Sequence, residues 1–290
     1  MTTYQALLHR FQVVCDDATA ASYLREILAP LEVADDHHPG LTEYRLTHGV
    51  GARQLDELWV DGTRSEASTR GPGLIGQLLA RIDHDAEQVT GQKHTVLHAA
   101  ACHLDGHTLL IPGAPNAGKS TLVAYLSLQG WTYLSDELLA VLPGPIPQVL
   151  AYPRTIVLDP GSWRLFGGHL IEPPRTITAQ IPHRRHLALP RDSRVEPSSC
   201  LPITDVLLYR WPADDGARVE ELDVVEGLRT LLGSSFSLQR RPDRDLERLS
   251  HVVERTACWQ ATTEQLAELE PVLRKTLKLH DPATLRSDVR

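Results

Sequence analysis

Apolar and polar positions change period several times along this chain, and each change marks an element. Phe11-Gln12-Val13-Val14 and residues 42–47 alternate as strands do. Residues 54–60 read as a further strand, closed by the turn pair Asp61-Gly62. Asp17 stands where it can cap a helix from about Ala18 to Leu28, with Pro30 just beyond. Leu74, Ile75, Leu78, Leu79 and Ile82 recur at helical spacing, which predicts a helix over 73–89. His37-His38-Pro39-Gly40 reads as loop. These elements predict a small α/β domain over residues 1–92.

A second domain is expected over 93–290. Residues 95–102 and 108–111 are apolar runs separated by Leu104-Asp105-Gly106-His107, and Asp-Gly between two such runs predicts a tight hairpin. A helix after Lys119 should end near Gly130. Residues 131–135 form a strand that ends in the acid pair Asp136-Glu137, and 138–142 continue as strand to a Pro/Gly turn. Residues 160–200, rich in Pro, Gly, Arg and His, read as loop. Beyond them come a strand at 201–211, helices at 220–232 and 246–254, a strand at 256–261 and a last helix from 263 to about 277. Hairpins mixed with strand–helix alternation predict an α/β fold with a mixed sheet.

The chemistry concentrates in Gly113-Ala114-Pro115-Asn116-Ala117-Gly118-Lys119-Ser120, a phosphate-binding loop of the form G-x-x-x-x-G-K-[ST] set between a strand and a helix. Successive backbone N–H groups of such a turn form a nest for an anion, and the helix N-terminus adds positive potential. The candidate nucleotide contacts therefore run from Gly113 through Ser120 to Thr121. Lys119 should reach the β- and γ-phosphates, and the Ser120 hydroxyl should join a Mg²⁺ shell. The motif leaves the fate of the γ-phosphate open: water, a hydroxyl, or no transfer.

Asp136 and Glu137 stand at the end of the next strand, at the ligand edge of an open sheet. One carboxylate there can hold Mg²⁺ and the other can take a proton from an attacking hydroxyl; a solvated strand-end pair is the plainer alternative. His98 sits among small apolar residues, where a core hydrogen bond and a functional role are both open. His94, His98, His103 and His107 cross the hairpin and switch faces, which argues against a metal cluster. Arg154 either meets a phosphate or is a surface arginine. Pro182-His183-Arg184-Arg185-His186, with Arg175, Arg191 and Arg194, is either a basic lid or docking segment or a solvated loop.

Composition narrows the partners. A net charge of −8 over 290 residues argues against bulk nucleic acid or an anionic membrane surface. No run approaches the ~20 apolar residues of a membrane span, and no signal peptide is visible at the N-terminus. Cys15, Cys102, Cys200 and Cys258 lie far apart, which predicts a reduced, cytoplasmic protein without a thiolate zinc site. Homo-oligomerisation is left open.

Residues 93–160 carry a combined pattern: Thr95-Val96-Leu97-His98, the hairpin, the loop from Gly113 to Ser120, then Tyr133-Leu134-Ser135-Asp136-Glu137. In this the chain resembles the HPr kinase/phosphorylase family, specifically its bacterial HPr-kinase-related relatives. The resemblance implies a P-loop kinase core of the HPr kinase and phosphoenolpyruvate-carboxykinase-like type, preceded by a small N-terminal α/β unit. It implies transfer of the ATP γ-phosphate to a serine hydroxyl with Mg²⁺. Carried over, Asp136 would be the general base with His98 beside it. Glu137, where HPr kinases have a second Asp, would lie near the metal with Ser120. The downstream Glu-Ile-Arg-Gly-type signature of true HPr kinases is missing, and Glu172 lies in a proline-rich stretch. Such relatives occur in peptide natural-product pathways, including lasso peptide clusters, where some phosphorylate a precursor peptide. The implied acceptor is a peptide, protein or small-molecule hydroxyl. The rival readings are a nucleotide hydrolase or switch with water as acceptor, and a binding module without transfer.

Overall fold

The computed structural model describes residues 1–34, 40–50, 55–68, 73–173, 184–211 and 216–279. Compactness divides the chain into one unit of Met1–Lys93, Tyr152–Arg191 and Glu196–Ser198 and a second of His94–Ala151, Asp192–Val195 and Ser199–Arg290. The described residues 152–173 and 184–191, which the sequence reading places in the second domain, group with the first unit. His37, His38, Pro39 and Gln54 lie outside the described residues.

In the first unit, β1 (Thr3–Ala6), β2 (His9–Cys15), β3 (Glu32–Val33), β4 (Thr42–Val50), β5 (Leu55–Val60) and β6 (Thr63–Ser68) form one sheet in the order β3-β1-β2-β4-β5-β6. α1 (Ala18–Leu28) links the parallel pair β2 and β4. It starts where Asp17 Oδ1 accepts the Ala20 N–H at 2.6 Å, satisfying a donor the first turn leaves open. α2 (Leu74–Gly91) buries Leu74, Ile75, Leu78 and Ile82 of the predicted stripe, with Leu79 half-buried. A cavity of about 610 Å³ opens on this unit beside His9, Arg10, Arg81 and Asp85.

The second unit begins with β7 (Thr95–Leu104) and β8 (His107–Pro112), joined at Asp105 (φ +49°) and Gly106 (φ +85°). Both turn dihedrals are left-handed, the geometry that two-residue hairpins of right-twisted strands require. α3 (Lys119–Leu128), β9 (Thr132–Ser135), β10 (Leu138–Leu142) and β11 (Gln148–Leu150) follow.

Within residues 160–200, expected to be loop, the described residues include α4 (Trp163–Phe166), β13 (Leu170–Ile171) and β14 (Arg185–Leu187), and these strands pair with β12 (Ile156–Leu158), just ahead of the stretch, in the order β12-β14-β13. Strands this short display no alternation, so tertiary burial decides them. His186 on β14 is 3% exposed, and its Nδ1 pairs with Thr155 Oγ1 at 2.8 Å.

β15 (Cys200–Pro202), β16 (Asp205–Arg210), β17 (Arg218–Glu221), α5 (Val224–Gly233), α6 (Pro242–Arg255), β18 (Ala257–Thr262) and α7 (Leu266–Leu277) complete the second unit. Its sheet runs β15-β11-β10-β7-β8-β16-β18-β17, with β9 also on β7, and mixes parallel and antiparallel pairs as predicted. The helix expected at 220–232 starts later: Glu220 and Glu221 pair with β18, and Asp223 caps α5 through the Val225 N–H. α6 begins a turn earlier than expected, with Pro242 at its start, where a missing N–H costs nothing.

Alternation along β7 sorts the layers. Leu97, Ala99 and Ala101 join a core with Leu231 of α5 and with Leu249, Val252 and Val253 of α6. His98, Ala100 and Cys102 face the other way, and α3 also packs against β7.

Candidate active site

β8 ends at Pro112, opposite Ala99, and the chain leaves the sheet into the phosphate loop. Asn116 (φ +63°) and Gly118 (φ +85°) take left-handed dihedrals. Gly118 is required twice over, because a Cβ there would also stand 3.1 Å from Tyr209 Cε1. Ser120 and Thr121 fall in the first turn of α3.

Lys119 is 4% exposed, and its Nζ donates to Gly113 O and Ala114 O, each at 2.9 Å. Burial pushes its pKa down, while Glu137 and then Asp136 push it back up. Both carboxylates therefore lie within electrostatic reach of the ammonium.

The acid pair owes its position to an irregular strand. β9 pairs with β7 as Cys102↔Tyr133 and then Ala101↔Ser135, a one-residue slip that leaves Leu134 extra. Such bulges re-aim side chains beside functional sites. The strand pairing leaves an opening at Asp136 and Glu137, crossed by the Ala99 N–H, which donates to Glu137 O at 3.2 Å, and the register resumes at Leu138↔His98. Ser135 Oγ spans the opening, donating to Leu138 O at 2.7 Å and accepting from the Glu137 N–H at 3.3 Å. Asp136 is 1% exposed, and its Oδ1 accepts from the Tyr133 hydroxyl at 2.9 Å. Glu137 is more open, with Oε1 3.8 Å from His98 Nε2.

A further element was not legible in the sequence. Beyond Ala99, β7 loses β8 as a neighbour, and residues 234–236 take its place. The His98 N–H donates to Ser234 O at 2.8 Å, and the Phe236 N–H donates to Val96 O at 3.0 Å. Leu97 and Ser235 form the antiparallel bridge between them. The Phe236 ring lies 6.2 Å from the His98 ring. The sequence signal available was Gly233-Ser234-Ser235 after a helix, which reads only as a stop.

Other candidates stand elsewhere. Arg154 belongs to the first unit, where its Nη1 donates to Asp83 Oδ2 at 2.7 Å. His107 Nδ1 pairs with Asp205 Oδ2, and His103 Nδ1 with Thr108 Oγ1, each at 2.9 Å. Among the described residues no three His, Cys, Asp or Glu side chains gather as a metal site. Arg175, Pro182 and His183 lie outside the described residues. Arg185 pairs with Glu172 at 2.7 Å and lies 4.3 Å from the centre of the Trp163 ring, and Arg191 pairs with Glu196 at 2.8 Å.

The donor set suits Mg²⁺ bound with a phosphate. That ion takes oxygen ligands, keeps several waters and needs one or two carboxylates beside phosphate oxygens. Ser120, next to Lys119 at the start of α3, and Asp136 and Glu137, which act on the Lys119 charge, carry hard oxygens of this kind.

No family model and no curated protein sequence matches the chain. Among solved structures it is similar to the Hpr(Ser) kinase/phosphatase from Coxiella burnetii, at 13% identity over 63% of this chain and 90% of that one, with a TM-score of 0.33. At that identity and score the likeness assigns no residue a role. Among the described residues no helix is long and apolar enough to cross a membrane.

Proposed function

We propose that the chain is an ATP- and Mg²⁺-dependent kinase that phosphorylates a hydroxyl, either of a peptide or protein serine or of a small metabolite in a bacterial natural-product pathway. One observation carries the reading. Lys119 is buried in the phosphate loop with its Nζ on Gly113 O and Ala114 O, and the acids Asp136 and Glu137 follow from the neighbouring strand, within electrostatic reach of it.

In this reading the loop amides from Gly113 to Thr121 bind the phosphates, and Lys119 turns from the two loop carbonyls toward the β- and γ-phosphates. The acceptor oxygen bonds to the γ-phosphorus while the bond from that phosphorus to the bridging oxygen breaks, and ADP leaves with the electron pair. Asp136 takes the acceptor's proton, held in place by the Tyr133 hydroxyl. Ser120 with Glu137 or Asp136 would hold Mg²⁺, which when bound spreads the charge of the transferring group. His98 stands beside Glu137 on the acid side of the site. The choice of ATP and the acceptor class rest on the resemblance over residues 93–160.

The test is incubation with Mg²⁺ and γ-labelled ATP against peptides encoded beside the gene, HPr and a metabolite extract. Label on one acceptor, absent with Lys119→Ala, supports the kinase. Release of free phosphate alone, dependent on Lys119, would replace it with a hydrolase or switch.

A further inference from the structure

Asp245, in the first turn of α6, is fully buried and lies outside every motif of the loop and acid pair. Thr95 Oγ1 donates to its Oδ1 at 2.8 Å, and Ser235 Oγ and Ser237 Oγ donate to its Oδ2 at 2.6 and 2.7 Å. Arg244 Nε adds a contact to Oδ1 at 3.2 Å, and its Nη2 donates to Ser237 Oγ at 2.8 Å. Burial pushes the Asp245 pKa up, but the hydrogen bonds from Ser235, Ser237, Thr95 and Arg244 outweigh it and hold the carboxyl below its usual value. The group is therefore an anion held by hydroxyl donors from two segments, β7 and residues 235–237, with the Arg244 guanidinium beside it.

Strand alternation gives this grip a consequence. Ser235 lies opposite Leu97, so its side chain shares the face of Leu97 and the helical core. Ser237 follows at the same period, and Thr95 is two residues from Leu97 on β7. Phe236, between the serines, projects to the opposite face, which is the face of His98. The ring contact between Phe236 and His98 agrees with this placement.

We propose that Asp245 is a positioning residue: from behind the sheet it pins residues 234–237 to β7 and so holds Phe236 against His98 at the acid side of the site. This rests on the kinase reading only where turnover is the readout.

The test compares the full-length wild type with Asp245→Asn, which keeps the shape and removes the charge. Protection of the His98 and Phe236 amides from hydrogen exchange should fall at least about tenfold, with the Leu122 amide of α3 unchanged. Phosphate release or transfer at saturating MgATP should fall about 10–100-fold with the Kd for MgATP within about twofold, because small displacements near reacting atoms cost rate rather than binding. Ser237→Ala, which removes a single donor, gives the same readouts more weakly and serves if Asp245→Asn does not fold. Unchanged protection at residues 98 and 236 in a folded variant overturns the pinning, and lost protection with unchanged turnover overturns its role in positioning. A wild type that binds no MgATP, or binds it without turnover, sinks the kinase reading instead, and amide exchange alone then judges the pinning.

Discussion

His98 Nε2 stands 3.8 Å from Glu137 Oε1, joined through the antiparallel register that sets His98 opposite Leu138. The separation exceeds a hydrogen bond, so the two side chains are close neighbours without a direct hydrogen bond between these atoms. Glu137→Gln keeps the shape and removes the charge. The Mg²⁺ concentration for half-maximal activity should rise roughly tenfold or more if Glu137 serves the metal. A Mg²⁺ titration with unchanged midpoint removes Glu137 from that role.

Asp136 tests the chemistry itself. Its buried carboxyl, bonded to Tyr133, is assigned the acceptor's proton. Asp136→Asn should lower phosphoryl transfer by about 10²–10⁴-fold, the usual span for a positioned base. ATP affinity, measured by calorimetry, should stay close to wild type. Transfer at the wild-type rate by a variant that binds ATP rules out the assignment.

Gly118 couples the loop to the sheet through Tyr209. Gly118→Ala meets a left-handed dihedral and a contact 3.1 Å from Tyr209 Cε1. The dihedral alone costs about 1–2 kcal/mol. Urea unfolding should show that loss, and calorimetry should show weaker ATP binding as the loop shifts. A variant equal to wild type in both would mean that the loop relaxes freely.

Arg154 separates two roles. Its ion pair with Asp83 predicts that Arg154→Ala lowers the stability of the first unit by about 1.5–3 kcal/mol, the scale of a hydrogen bond to a charged partner. ATP affinity should be unchanged. The reverse pattern, weaker ATP binding at full stability, would return Arg154 to the nucleotide.

His186 makes stability depend on pH. Burial, with help from Arg154 and Arg184, holds it neutral and pushes its pKa down to about 3. In the unfolded chain a histidine takes a proton near the ordinary pKa of about 6.5. The unfolded state thus binds more protons between these values, and stability falls as pH drops through that window, by up to about 1.4 kcal/mol per pH unit. Denaturant unfolding across the window should show a shallower fall for His186→Asn. Identical slopes would remove His186 as the cause.

Legibility in the sequence followed the range of the cause. α1 was readable to both ends because Asp17 and Pro30 act within one turn of it. The hairpin was readable because Asp105 and Gly106 can adopt left-handed dihedrals at little cost. The start of α5 was misplaced because Glu220 and Glu221 have no strand preference of their own, and β18 recruits them. The strands β12 to β14 and the line of residues 234–236 along β7 were invisible for the same reason: their partners are distant in the chain.

The sequence by itself determined the loop from Gly113 to Ser120, the acids that follow it, and the mixed α/β character, because each arises from residues close in the chain. Only the tertiary structure decided which groups stand beside that loop. It joined His98 to Glu137, set Ser234 to Phe236 along β7, and buried Asp245 behind them. It also grouped the described residues of 152–191 with the first unit and gave Arg154 to Asp83. These pairings depend on register and burial, which are settled only when segments remote in sequence compete for the same sheet edge and the same core.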